Sequence, residues 1–116
     1  MNVLVVLNDA PYGPERSYNG LRLAGALAKR DGVTVKIFLM GDAVGCGKAG
    51  QTVPQGYYNL ERMIQVPAQR GAEVAACGSC LDARGLKESD LAQGVRRSSL
   101  EVLSDWTLRA DKVIVF

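Results

Sequence analysis

The segment Glu73-Val74-Ala75-Ala76-Cys77-Gly78-Ser79-Cys80-Leu81-Asp82-Ala83-Arg84-Gly85 sets two thiols three residues apart, where a short apolar run gives way to helix-compatible residues. A strand that ends in this way delivers its last side chain to the carboxyl edge of a sheet, where open α/β folds bind ligands. Free backbone N–H groups and the positive end of a following helix favour thiolate over thiol at such a point. The chemistry this predicts is that of a nucleophilic Cys77, with Cys80 about one turn further along. Arg84, and Lys48 from a glycine-rich segment, are the cations expected to stabilise the thiolate. Asp82 opposes it unless it caps the helix or pairs with Arg84. Cys46, on the same glycine-rich segment, is a third thiol placed to reach the same mouth.

The composition narrows the chemistry further. The 116 residues contain no histidine, which excludes Ser-His-Asp and Cys-His catalysis and histidine metal ligation within one chain. Any catalysis must rest on thiols, carboxylates, Lys, Arg or Tyr. With 47% apolar and 22% charged residues the chain has the usual globular mix, and its length suits one domain over residues 1–116. A net charge of +2, with basic pairs only at Lys29-Arg30 and Arg96-Arg97, gives no stripe for nucleic acid, and these pairs read as solvated helix ends or loops. The opening Met1-Asn2-Val3-Leu4-Val5-Val6-Leu7 has no basic leader and only five consecutive apolar residues, too few for a signal sequence or a membrane span. Three cysteines form no disulfide framework, so a reducing cytoplasm is the expected setting.

The elements that must hold the thiols alternate in type. Val3 to Leu7 reads as a strand buried on both faces, as in parallel sheets. A helix is expected from Glu15 to Arg30 with Leu21, Leu23, Ala24, Leu27 and Ala28 inward, and a second strand from Val33 to Leu39, which together make a βαβ unit. Five glycines between residues 41 and 56 predict a long loop over the same edge as Cys77. It is not a phosphate-binding loop: Gly47-Lys48 is followed by Ala49, and the position that needs the first glycine is Asp42. A second helix is expected from Tyr57 to Arg70 with a kink or break near Val66, because Pro67 lacks a backbone donor. Gln51, Pro54 and Asn59 read as shaping the loop and the start of that helix. Glu73 to Ala76 is strand three, and Gly94 to Arg96 a short strand. Ser98 and Glu101 have capping-box spacing before a helix through Leu103, Trp106 and Ala110, and Lys112 to Phe116 is the last strand. Tyr12, Tyr57, Tyr58 and Trp106 are read as packing or subunit-contact residues.

The order of elements, the glycine loop continuing into Gln51-Thr52-Val53-Pro54-Gln55-Gly56-Tyr57-Tyr58-Asn59, the Cys77 to Gly85 segment and the terminal Ala110-Asp111-Lys112-Val113-Ile114-Val115-Phe116 together resemble the DsrE/DsrF-like family over nearly the whole chain. The resemblance implies an α/β fold of three layers, α/β/α, around a five-stranded, mostly parallel sheet. It also implies assembly as a homotrimer or homohexamer, and transfer of sulfane sulfur between donor and acceptor proteins as a cysteine persulfide. The persulfide-bearing cysteine of the sulfur-relay branch falls by position on Cys77, whereas the second cysteine is not general in that branch. Persulfide chemistry requires neither histidine, metal nor cofactor, since a thiolate takes up the sulfane sulfur and presents it to another thiol. Cys80 is then placed to resolve the persulfide as an intramolecular disulfide. Two other classes stay open: a thiol redox or metal-binding module using Cys77 and Cys80, with Cys46 as a further zinc ligand, and a non-catalytic oligomeric binding protein whose cysteines only pack.

Overall fold

Residues 3–7 form the buried part of the first strand, β1 (Asn2–Leu7), as five successive apolar side chains demand when both faces of a sheet are covered. The computed structural model describes all 116 residues. It adds strands β2 (Thr34–Leu39), β3 (Glu73–Cys77), β4 (Val95–Ser98) and β5 (Lys112–Val115), and helices α1 (Arg16–Leu27), α2 (Leu60–Gln69), α3 (Gly78–Asp82) and α4 (Leu100–Arg109). The five strands form one sheet in the order β4-β3-β2-β1-β5, and every pairing is parallel. No helix is long and apolar enough to cross a membrane.

Strands one to four are laid down stepwise in one direction, after which α4 carries the chain back across the whole sheet to β5. Connections of one hand then put the outward-stepping helices on one face and the returning helix on the other. α1 lies on the face that carries Leu7, where Gly20 lets the two backbones approach, and packs against α2. Trp106 of α4 meets the edge of Phe38 at 5.9 Å with an interplanar angle of 87°. Phe38 is paired with Val6, so it projects from the opposite face to Leu7. The result is a three-layer α/β/α sandwich around one cluster of 25 buried apolar residues.

Several boundaries differ from the sequence reading for local reasons. Gly41–Gly47 is a 3₁₀ helix and not irregular loop. Its glycines fit because a side chain at Gly47 would press on Val95 and Leu39 at 3.0 and 3.1 Å. A second short 3₁₀ turn spans Glu88–Asp90. α1 stops at Leu27, short of Arg30. α2 starts at Leu60 because the Asn59 side chain accepts the Arg62 N–H at 3.1 Å, leaving Tyr57 and Tyr58 outside the helix. It then runs unbroken through Pro67, contrary to the expected break. Pro67 stands near the end of the helix, where a missing donor costs only the bond to the Met63 carbonyl, and its own carbonyl accepts from Arg70 and Ala72. Ser99, not Ser98, caps α4, through the Val102 N–H at 3.3 Å, because Ser98 is still paired with Cys77 in the sheet. Arg96 and Arg97 lie in β4 and not in a solvated helix end or loop.

The Gly20 contact yields a paired expectation. Gly20→Ala drives a methyl into Leu7 and Phe116 and should lower stability by about 1–3 kcal/mol, measured by urea unfolding. Gly25→Ala, in the same helix but with nothing within 4 Å of the added carbon, should raise it by about 0.4–1 kcal/mol.

Candidate functional site

Cys77 is the last residue of β3 and the N-cap of α3. Its Sγ accepts the Cys80 N–H at 3.4 Å and lies 3.3 Å from the Ser79 hydroxyl. α3 has only five residues, so the bias toward thiolate comes from these local donors rather than from a long helix dipole. Burial opposes ionisation of Cys77 more than any single interaction favours it. The hydrogen bonds from the Cys80 and Ser79 side chains and backbones together exceed that opposition, and the Cys77 pKa falls below the ordinary thiol value. Cys80 shifts the other way, through burial first and then through its hydrogen bond to, and the charge of, the Cys77 thiolate. The Gly41 N–H, 3.2 Å from Cys80 Sγ, and the Arg84 charge offset this only in part. The pair therefore ionises first at Cys77, with Cys80 as the proton-bearing partner.

The structure places the other sequence-chosen residues unequally. Arg84 stands beside Cys80, donating to its carbonyl at 3.0 Å, but its guanidinium is tied to Asp42 at 2.8 and 3.1 Å. Asp82 does not pair with Arg84. It forms a two-pronged pair with Arg97 at 2.7 and 2.9 Å, because β4 runs alongside β3 with Arg97 opposite Ala76. That pairing holds the Asp82 carboxyl below the usual carboxylate range, so its charge is matched. Lys48 is exposed, and its ammonium makes no ion pair or hydrogen bond. Cys46 is fully buried, faces the Asp9 carbonyl at 3.9 Å and the Ser17 side chain, and is pushed up to about 11 by burial. It is a core residue, and no three Cys, Asp or Glu side chains converge into a metal-ligand set.

Three contributors were missed in the sequence. Ser79 bonds Cys77 directly. Arg97, read only as part of a basic pair, brings its guanidinium over Gly78 and its charge toward Cys77. Gly78 is required by this approach: a Cβ there would lie 2.9 Å from Arg97 Cζ and 2.9 Å from the Ser98 carbonyl oxygen. A glycine inside the C-x-x-C was the available signal. Gln51 anchors the neighbouring loop, donating to the Cys46 and Lys48 carbonyls at 2.9 Å each and accepting from the Tyr12 hydroxyl. Tyr12 stacks on Tyr58 and Tyr58 on Tyr18, and a cleft of about 340 Å³ opens beside them between Tyr12, Pro54 and Tyr57. The thiols lie outside this cleft.

The chain matches the DsrE/DsrF-like family model over residues 1–116. It belongs to the DsrE/DsrF-like family. It is 40% identical over 115 residues to protein YchN of Escherichia coli K12, spanning 98% of this chain and 97% of that protein. It is 43% identical over 114 residues to the uncharacterized protein MK0008 of Methanopyrus kandleri, spanning 98% and 93%. The crystal structure of the E. coli YchN protein superimposes with a TM-score of 0.94, covering 99% of this chain and 98% of that one. MTH1491 of Methanobacterium thermoautotrophicum, a protein of unknown function, shares the fold at a TM-score of 0.75 and 16% identity. Within this DsrE/DsrF-like chain the thiols should be distinguishable by pH. Iodoacetamide labelling read by peptide mass should modify Cys77 with an inflection below the ordinary thiol pKa and Cys80 only above it, with Cys46 unlabelled until unfolding. Equal inflections for Cys77 and Cys80 would contradict the asymmetry.

Proposed function

We propose that the chain is a sulfur carrier, of the sulfurtransferase type, that holds sulfane sulfur as a persulfide on Cys77. The observation that carries this reading is a thiol at the carboxyl end of β3 whose own hydrogen bonds lower its pKa in spite of burial. Membership in a family linked to sulfur relay supports it. The uptake step balances without an external oxidant. The Cys77 thiolate attacks the outer sulfur of a donor persulfide, the donor S–S bond breaks, and the donor thiolate leaves with the electron pair. The acquired sulfur stands about 2 Å beyond Sγ, which matters for a side chain only 7% exposed. It is this outer atom that an acceptor thiol reaches.

Donor and acceptor proteins are the partners this chemistry requires, in the reducing cytoplasm that keeps the thiols free. Neither nucleic acid nor a membrane has a role in it, and residues 1–116 act as one such unit. A homotrimer or homohexamer is the proposed assembly. Uncovered apolar side chains support association: Val115 is 64% and Leu108 84% exposed, with Val113 and Leu100 also bare. Val113 and Val115 share one side of the edge strand β5, which is paired only with β1. The zinc reading loses its third ligand with Cys46 in the core.

Treatment with glutathione persulfide under anaerobic conditions should add about 32 Da, one sulfur, to Cys80→Ser and nothing to Cys77→Ser. Absence of any adduct at Cys77 with this and with protein persulfide donors would overturn the reading. For assembly, Val115→Asp should lower the mass measured by light scattering from a multiple of 12.4 kDa toward the single chain while leaving the circular dichroism spectrum unchanged.

A further inference from the structure

Cys80 is held in a way that a mere structural cysteine does not require. Its backbone N–H points at Cys77 Sγ from 3.4 Å, which leaves that sulfur within about 5 Å of the Cys80 Cα, one N–Cα bond further on. The two thiols stand close enough for each to shift the ionisation of the other. Cys80 Sγ accepts the Gly41 N–H at 3.2 Å, and Arg84 is fixed against the Cys80 carbonyl by its pair with Asp42. Cys80 is half-buried, where Cys77 is almost wholly covered.

We infer that Cys80 is a resolving thiol which turns the Cys77 persulfide into sulfide, so that the site is a sulfane-sulfur reductase as well as a carrier; this rests on persulfide formation at Cys77. In this step Cys80 Sγ attacks Cys77 Sγ, the inner atom of the persulfide. A Cys77–Cys80 disulfide bond forms, and the bond from Cys77 Sγ to the outer sulfur breaks. The outer sulfur leaves as hydrosulfide, taking the bonding pair and the thiol proton of Cys80. The sulfane sulfur is reduced by two electrons and the two cysteines are oxidised by two. A dithiol reductant from outside the chain then reopens the disulfide by exchange.

The arrangement suits the order of events. While Cys77 is a thiolate, its charge and its hydrogen bond keep Cys80 protonated, so the pair takes up sulfur through one thiol only. Once the persulfide forms, the negative charge moves to the outer sulfur, about 2 Å further away. The Gly41 N–H and the Arg84 charge, which favour ionised Cys80, are then less opposed. The proton that Cys80 has kept is the one that the departing sulfur needs.

The test uses the full chain, fully reduced and anaerobic, given one equivalent of glutathione persulfide, with intact mass and trapped sulfide measured together. Wild type should end about 2 Da lighter than the reduced protein and release one sulfide per chain, while Cys80→Ser should keep the additional sulfur and release none. Addition of dithiothreitol should restore wild type to its starting mass. If wild type and Cys80→Ser both retain the sulfur and neither releases sulfide, the resolving role is overturned and the carrier reading stands. If Cys80→Ser takes up no sulfur at Cys77, the carrier reading fails and this step fails with it. Folding of each variant is checked by circular dichroism, and Cys80→Ala, which removes the hydroxyl as well, should match Cys80→Ser.

Discussion

The parallel register of β1, β2, β3 and β4 is the constraint on which the thiol edge depends. Apolar side chains on both faces lock the three inner strands, because a slip of one residue would exchange the α1–α2 face for the α4 face along each strand. With that register fixed, the carboxyl ends of β2 and β3 stand side by side. The Gly41 N–H, just beyond β2, then comes within 3.2 Å of Cys80 Sγ, and Arg97 of β4 comes to lie over Gly78. The cysteines do not sit where the strand order reverses, between β1 and β5; they occupy the same edge two strands away.

Desolvation and hydrogen bonding compete at Cys77, and the outcome sets its chemistry. A thiol this covered would ordinarily lose acidity, as Cys46 does in the core, where burial wins and the pKa rises to about 11. Cys77 differs because it lies nearer the surface and its Sγ caps a turn, where the Cys80 N–H and the Ser79 hydroxyl outweigh burial, whereas the Ser17 side chain does not outweigh it at Cys46. One residue type thus gives a structural hydrophobe and a candidate nucleophile in the same chain, and the division is made by depth of burial together with the local N–H and O–H groups.

The nearby charges are organised as closed pairs. Arg84 with Asp42 joins the turn after α3 to the 3₁₀ helix, and Arg97 with Asp82 joins β4 to the end of α3. Exposed pairs of this kind contribute little stability, but each fixes an element that touches a thiol. On the opposite face Lys36 and Arg96 share Glu73 and flank the Trp106 ring at 4.8 and 5.7 Å. The Trp106 face, read as packing in the sequence, is thereby part of an ordered charged surface.

Short apolar runs alternating with helical spacing pointed to the α/β class and to the place of Cys77 at a strand end, because these depend on local periodicity and on burial. The five-stranded sheet was implied by the family resemblance, since β4, Val95-Arg96-Arg97-Ser98, carries no apolar run. The absence of histidine and the C-x-x-C likewise limit the chemistry from the sequence alone. The sequence did not show that Asp82 would find Arg97 rather than Arg84, that Cys46 would turn inward, that Lys48 would stay free, or that α2 would run through Pro67. Those outcomes hang on which strand lies beside which and on where a helix happens to end, and neither is encoded in spacing along one segment. For Cys77 and Cys80, the sequence determined that two thiols lie one turn apart. The tertiary structure set the balance between them: burial by elements distant in the chain raises both thiols, the Gly41 donor offsets it only in part at Cys80, and the Ser79 and Cys80 donors tip ionisation to Cys77.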